Sequence, residues 1–498
     1  MASKKKGKKV QHSPKAKPGT KPGKKPSGKA WWHLDKNSLL WLLGVVAVTT
    51  VIYIPSINND FTNWDDQYYV YQNPDIQSFS SKLLTENYGA NWHPLTMYSL
   101  ALNYQISEYD AWSYHLLNMV LHVLNTLLVF YFIFLLSKQR IEIAVIVSLI
   151  FGIHPMHVES VAWVAERKDV LYTFFFLLSM IYYWLYCRSK QVSSYILSIV
   201  FCALACLSKP AAVVLPVVLL LMDYFEKRPF DLMETLVKKL PYFAIAFGVG
   251  LKTLTVQDEF GATSTDTFSF VERILFASYG FMQYIFKMIV PVKLSTLYPY
   301  PPLSDIPVIF KIAPLLVIAV LGVAAWSMKK TRIVAFGVAF YVVTIALVLQ
   351  LFVSVGDAVM ADRYTYVPYI GLLLIAGFGF SQIWRGNFSA GMKNGLLAAT
   401  ALYCAFLGYQ TFNRIGVWKN AETLWTDVIE NYPEKTTGYY NRAHYFDSQG
   451  EQEKAIADYT SAIAIDPDYY EALTNRGRLY RLRGELQRSV NDLSLIHI

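Results

Sequence analysis

The sequence predicts an all-α protein, a polytopic helical membrane bundle followed by a helix-turn-helix repeat solenoid. Three observations carry that prediction. Of 498 residues, 54% are hydrophobic and only 16% are charged, too apolar a balance for a soluble chain of this size. Several apolar runs reach the length of roughly 17–25 residues that a helical crossing needs. Near the C-terminus the chain repeats itself at a fixed offset, Asn441-Arg442 recurring as Asn475-Arg476, and a fixed period marks a repeat array.

In chain order, residues 1–30 carry eleven Lys and no Asp or Glu, spaced by Pro, Gly and Ser. Such a composition cannot bury a core and is expected to be disordered. Joined directly to a membrane helix, the tail marks the cytoplasmic side more simply than it makes a nucleic-acid arm, and it suits contact with anionic lipid. The first apolar segment runs from about Leu39 to Ile54 and continues into Pro55-Ser56-Ile57-Asn58 without a small-x-small cleavage site. It reads as an uncleaved anchor.

With the N-terminus inside, about eleven spans are expected near 39–56, 113–136, 141–154, 170–187, 193–208, 211–225, 241–256, 308–327, 333–355, 366–384 and 394–412. Short basic loops check the alternation: Lys138 and Arg140, Arg188 and Lys190, Lys227 and Arg228, Lys329 with Lys330 and Arg332, then Arg385 and Lys393. All fall on the cytoplasmic side under that count. The segment 273–291 contains Arg273, Gln283 and Lys287, and counting it as a span would put the later basic loops outside. It is expected to lie on the outer face as an interfacial or re-entrant helix. The four Cys, at 187, 202, 206 and 404, all sit in or beside apolar segments and read as small core residues.

The chain thus divides into the tail 1–30, a membrane region 31–414 with a long outer loop 57–110, and repeats over 415–498. In the repeats, Gly450-Glu451 recurs as Gly484-Glu485 and Asp458 as Asp492, while Ala455, Tyr459, Ala462 and Pro467 occupy the small, aromatic, small and proline positions. Ala421, Trp425 and Pro433 fit one period earlier. Two repeats ending within Ser494-Leu495-Ile496-His497-Ile498 have no polar cap, so the natural array is expected to be longer.

Four polar clusters fall on the outer face under this topology. The first is Asn63-Trp64-Asp65-Asp66, with Asn91-Trp92-His93-Pro94 in the same loop. Adjacent acids repel, so one can keep a raised pKa and serve as a base; on the pair alone, a solvated acidic turn anchored by interfacial aromatics is the simpler reading. The second cluster is His154-Pro155-Met156-His157-Val158-Glu159, then Glu166-Arg167-Lys168-Asp169. His154 and His157 offer two nitrogen ligands without a third at fixed spacing, which fits helix capping or carboxylate bonding better than a metal. Lys209-Pro210 is the third cluster; Lys209 can snorkel or hold a phosphate as a point charge. The fourth is Ala361-Asp362-Arg363-Tyr364, where Arg363 reads equally as an ion-pair partner or a phosphate ligand. On the second span, His115, Asn118, His122 and Asn125 share one helical face, better explained as hydrogen bonding between helices than as catalysis.

Taken together, the Trp-Asp-Asp loop, the His-Pro-x-His-x-Glu-x-x-Ala-Trp stretch with Arg-x-Asp after it, the Asp-Arg-Tyr-x-Tyr-x-Pro segment and the C-terminal repeats resemble one family. It is the transmembrane and tetratricopeptide-containing O-mannosyltransferase-like proteins, within the C-type, polyprenyl-phosphate-sugar-dependent glycosyltransferases. The resemblance implies that Asp65 or Asp66 is the catalytic carboxylate, that Glu159, Arg167 and Asp169 belong to a conserved outer segment, and that Arg363 meets the lipid-linked phosphate. It implies inverting transfer of a sugar, mannose first, from a polyprenyl phosphate to a protein hydroxyl. Lys209 or Arg167 would assist Arg363, and His93, His154 and His157 would line the substrate region. A divalent cation held by Asp65, Asp66 and Glu159 is compatible with this chemistry, but no ligand spacing demands it. The repeats would hold the acceptor protein or a partner. The expected location is a bacterial inner membrane with site and repeats on the periplasmic side. A non-catalytic membrane scaffold is the alternative; a transporter is disfavoured because the ionisable groups cluster at one face and not at the midplane.

Overall fold

A computed structural model of the chain describes residues 1–3, 34–228, 231–259, 268–351 and 358–494. The Lys-rich tail and the final residues 495–498 lie outside the described residues, as does the end of the segment expected over 333–355.

The membrane region is almost entirely helical among the described residues, with one short antiparallel pairing of Tyr298–Pro299 with Ala358–Met360. Its helices are α1 (Lys36–Tyr53), α2 (Pro94–Ser107), α3 (Trp112–Leu136), α4 (Ile141–Gly152), α5 (Arg167–Ser189), α6 (Val192–Ser208), α7 (Leu215–Phe225), α8 (Leu232–Glu259), α9 (Phe270–Ile289), α10 (Val308–Ser327), α11 (Arg332–Ile345), α12 (Tyr369–Arg385) and α13 (Ala390–Val417). Each of the eleven expected spans contains one of these helices. Among the described residues, five helical stretches are long and apolar enough to cross a membrane by themselves: 36–58, 112–136, 164–189, 308–327 and 390–417. A sixth is Ile141–Gly152 with Pro155–Ala162, bent by 56°. The bend falls at Ile153 and His154, where Pro155 lacks the N–H needed to continue the helix. The helix α9 is not among these stretches; charged Glu272, Arg273 and Lys287 interrupt it.

The helix α2, within the outer loop, carries no sequence signal of a span, yet Met97, Leu100 and Ala101 are buried. The polar stripe of α3 serves as interhelical hydrogen bonding. Asn125 donates to the Val170 carbonyl (2.8 Å) and Asn118 to that of Trp163 (3.1 Å), while His122 is paired with the Tyr366 hydroxyl (2.6 Å). These bonds tie α3 to α5 and to the segment before α12.

The chain after α13 forms α14 (Ala421–Asn431), α15 (Thr436–Ser448), α16 (Gln452–Ile465), α17 (Tyr470–Leu482) and α18 (Leu486–Ser494). The sequence repeat is a repeat of struts. Arg442 holds Asp458 through two bonds (2.7 and 2.9 Å) and Thr426 through a third (3.0 Å). Arg476 does the same to Asp492 (2.9 and 2.7 Å) and Thr460 (2.9 Å) one period later. Gly450 and Gly484 turn the helix pairs at φ of +77° and +78°, a left-handed conformation that disfavours any Cβ.

The array docks on the first outer loop. The Asp60 amide donates to the Lys419 carbonyl (2.8 Å), Asn63 donates to the Asn441 carbonyl (2.8 Å), and the Trp425 indole donates to Asn63 (2.7 Å). Arg414, at the end of α13, bonds Asp427 on α14 (3.0 and 2.9 Å).

Candidate active site

The site forms where α1 and α6 end and α5 begins. Trp163 breaks the helical run with an extended backbone, and a short turn over Val164–Glu166 leads into α5. This break sets Glu166, Lys168 and Asp169 at one end of the bundle. Lys209, in an extended conformation after α6, and Arg363, in a turn after the short strand Ala358–Met360, close over them.

The charges interlock. Glu166 receives Lys168 (3.3 Å), Lys209 (3.3 Å) and Arg363 (3.2 Å). Lys209 also meets Asp169 (2.5 Å), whose other oxygen accepts from Ser160 (3.1 Å). Glu159 pairs with the Arg363 guanidinium and accepts its backbone N–H (3.0 Å). Burial works against the charge on both Lys209 and Arg363, and the carboxylates (Asp169 for one, Glu159 for the other) more than restore it. A buried acid or base is tolerated only with such pairing.

The two adjacent acids of the first loop part company. Asp66 is buried and accepts three bonds, from the Thr62 amide (2.8 Å), the Thr62 hydroxyl (3.0 Å) and the Ala165 amide (2.8 Å). It therefore latches the loop to the turn that precedes α5. Burial pushes its carboxyl up to about 7, against the pull of those donors. Asp65 is half-buried and stands in the field of Lys168, Glu166 and Arg363; burial raises its pKa and Lys168 pulls it back. Of the pair, Asp65 is the one on which the charges of Lys168 and Arg363 act.

The other expected residues take various places. Arg167 does not join the cluster: its guanidinium is fully buried and bonds Asn118, Asn103 (2.9 Å), Ser99 (3.3 Å) and the Tyr114 carbonyl (2.8 Å). His154 and His157 turn into the core. His154 accepts from the Met156 amide (3.3 Å) and bonds the Met288 carbonyl (3.1 Å), and His157 bonds the Phe151 carbonyl (2.9 Å). His93 is buried beside the Tyr69 ring (5.1 Å between centroids). Burial, then Lys168, lowers its pKa to about 3, so it is neutral at physiological pH. The cation set of Asp65, Asp66 and Glu159 does not assemble, because Asp66 is spent on Thr62 and Ala165 and Glu159 on Arg363. Among the described residues no group of three or more His, Cys, Asp or Glu is placed to hold a metal.

Two features escaped the sequence reading. A row of indoles runs Trp425, Trp64, Trp163, Trp418, with centroids 5.3, 4.9 and 5.3 Å apart, and the Arg363 guanidinium lies 5.4 Å from the Trp163 ring. Asp362 is buried, accepting from Tyr298 (2.7 Å) with Arg414 4.0 Å away. The tryptophans were visible one by one, but nothing in their spacing announces a stack.

Comparison with known proteins agrees with this architecture. Residues 79–250 match the family model described as dolichyl-phosphate-mannose-protein mannosyltransferase, and residues 437–491 match a tetratricopeptide repeat model. Protein O-mannosyl-transferase F38B6.6 of Caenorhabditis elegans is 24% identical over 86% of this chain and 63% of its own length. Human protein O-mannosyl-transferase TMTC1 is 22% identical over 88% of this chain and 56% of its own. The chain thus spans under two thirds of the length of either relative. A crystal structure of ArnT from Cupriavidus metallidurans bound to undecaprenyl phosphate covers 91% of this chain and 75% of its own, at 14% identity and a TM-score of 0.42. Along most of its length the chain is thus similar in sequence, at 22–24% identity, to proteins named protein O-mannosyl-transferases.

Proposed function

We propose that the chain is a membrane glycosyltransferase that moves a sugar, with mannose the first candidate, from a polyprenyl phosphate to a protein hydroxyl. One observation supports it above the others: residues from four separate stretches, near 65, 159–169, 209 and 363, bring a half-buried carboxylate and partly exposed cations to one end of the bundle. In the reaction, the acceptor oxygen forms a bond to the anomeric carbon as the carbon–oxygen bond to the phosphate breaks. Asp65 takes the hydroxyl proton. The departing phosphate keeps the electron pair, and Arg363 with Lys209 meets its charge. Lys168 and Glu166 hold those groups in place. In-line displacement from the far face inverts the anomeric centre. The repeats, docked on the loop that carries Asp65, would present the acceptor polypeptide. The site would face away from the cytoplasm, in a bacterial inner membrane with the N-terminus inside.

The test separates the two neighbouring acids. In a transfer assay with purified full-length protein and a polyprenyl-phosphate mannose donor, Asp65→Asn should lose at least about 100-fold in rate, as expected for removal of a general base, with an unchanged melting temperature. Asp66→Asn should melt earlier. Full activity in a folded Asp65→Asn protein would remove the base assignment, and no transfer by the folded wild type would favour the scaffold alternative.

A further inference from the structure

At the end of the bundle remote from Asp65, a cavity of about 1540 Å³ opens between the helices. It lies among the loops joining α3 to α4, α5 to α6 and α10 to α11, together with the end of α7 and the start of α8. Eleven Lys or Arg line it against three carboxylates, Asp223, Glu226 and Glu234. Those acids are already engaged: Glu226 with Arg188, Glu234 with Lys238, and Asp223 with both Arg228 (2.5 Å) and Lys239. Asp223 also accepts from the Tyr183 hydroxyl (2.9 and 2.8 Å). One carboxylate therefore serves two cations at this wall, and Nη2 of Arg228 is buried with no hydrogen-bond partner among the described residues.

The plain explanation is topological, since basic loops hold one side of a membrane protein in the cytoplasm. That rule asks only for cations near the helix ends. It does not require five separate segments to turn their cations into one concavity, nor a guanidinium nitrogen to be buried without an acceptor. A surplus of positive charge in a recess at the membrane surface attracts a counter-anion, and basic pockets between membrane helices match phosphate head groups. Guanidinium and ammonium groups both suit phosphate oxygens.

We propose that this cavity is a binding site for a phosphate-bearing anion, distinct from the Asp65 site and independent of the glycosyltransferase reading. Two sources offer the same chemistry: an anionic phospholipid head group or a soluble phosphate compound.

Full-length protein in phosphatidylcholine nanodiscs allows both to be read. One arm adds phosphatidic acid to the bilayer, the other adds inorganic pyrophosphate to the buffer, and binding is followed by the shift in melting temperature. Lys227→Gln with Lys329→Gln removes two lining cations that have no carboxylate partner among the described residues, so no buried acid is stranded. Lys393→Gln, at the same end but outside the cavity, is the control. The wild type and the control should bind at least about tenfold more tightly than the double variant, given the attraction of each basic residue to phosphate at a membrane surface. A response to phosphatidic acid alone identifies a head-group site; a response to pyrophosphate identifies a soluble ligand. If the double variant does not fold in plain phosphatidylcholine, Lys138→Gln is read in its place. No response of the wild type in either arm, or equal binding by variant and control, overturns the proposal.

Discussion

Asp65 and Asp66 are neighbours in sequence with opposite surroundings. Asp66 accepts from the amides of Thr62 and Ala165, and Asp65 lies in the field of Lys168 and Arg363. The consequence for stability follows from the sign of the shift at Asp66. Its folded carboxyl titrates near 7 against an ordinary 3.8, so the folded state favours the protonated form. The stabilisation is complete below 3.8 and is lost as pH rises through about 7. Melting temperature measured in detergent should fall across that interval in the wild type, and Asp66→Asn should flatten the fall. A wild-type slope of the opposite sign would contradict the assignment. Arg167 teaches a related lesson: an Arg between two acids in sequence was expected to meet substrate, but its donors go to α2 and α3.

Within the solenoid, the Arg442 and Arg476 struts carry the period. Each links three successive helices by pairing with an Asp sixteen positions ahead and a Thr sixteen behind. Bonds to a charged partner contribute about 1.5–3 kcal/mol each. Arg442→Ala leaves Asp458, only 7% exposed, without its cation. It should destabilise the array by about 2–4 kcal/mol, read as a lower urea midpoint for the repeats by circular dichroism. Arg478→Ala breaks an outer pair with the more exposed Asp447 and should cost well under half as much.

On the scale of the molecule, membrane region and repeats share a seam. Asn63 is bonded on both sides by the array, to Trp425 and to Asn441, and Trp64 sits between Trp163 and Trp425. The next residue is Asp65. A load on the repeats is thus one residue from the proposed base. Trp425→Ala removes one indole of the row and the bond to Asn63. Hydrogen exchange at residues 59–66 should rise several-fold while exchange in α3 and α5 stays unchanged. Unchanged exchange in the loop would mean that the seam does not hold it.

Much of this was legible in the sequence because it depends on composition and period. Hydrophobic length located the helices, an offset repeat located the solenoid, and the stripe of His115, Asn118, His122 and Asn125 announced bonds between helices. Motifs at Trp64-Asp65-Asp66, His154 to Glu159 and Asp362-Arg363 pointed to the relatives that the chain resembles and to one end of the bundle. Tertiary structure alone decided which carboxylate of an adjacent pair is latched and which is left in the field of the cations. It also decided that Arg167, His154 and His157 serve the core, that α2 packs inside the outer loop, and that tryptophans from three separate segments form one row. The physical reason is that periodicity reports which face of an element is apolar, while the partner of a buried charge is fixed by segments a hundred or more residues away.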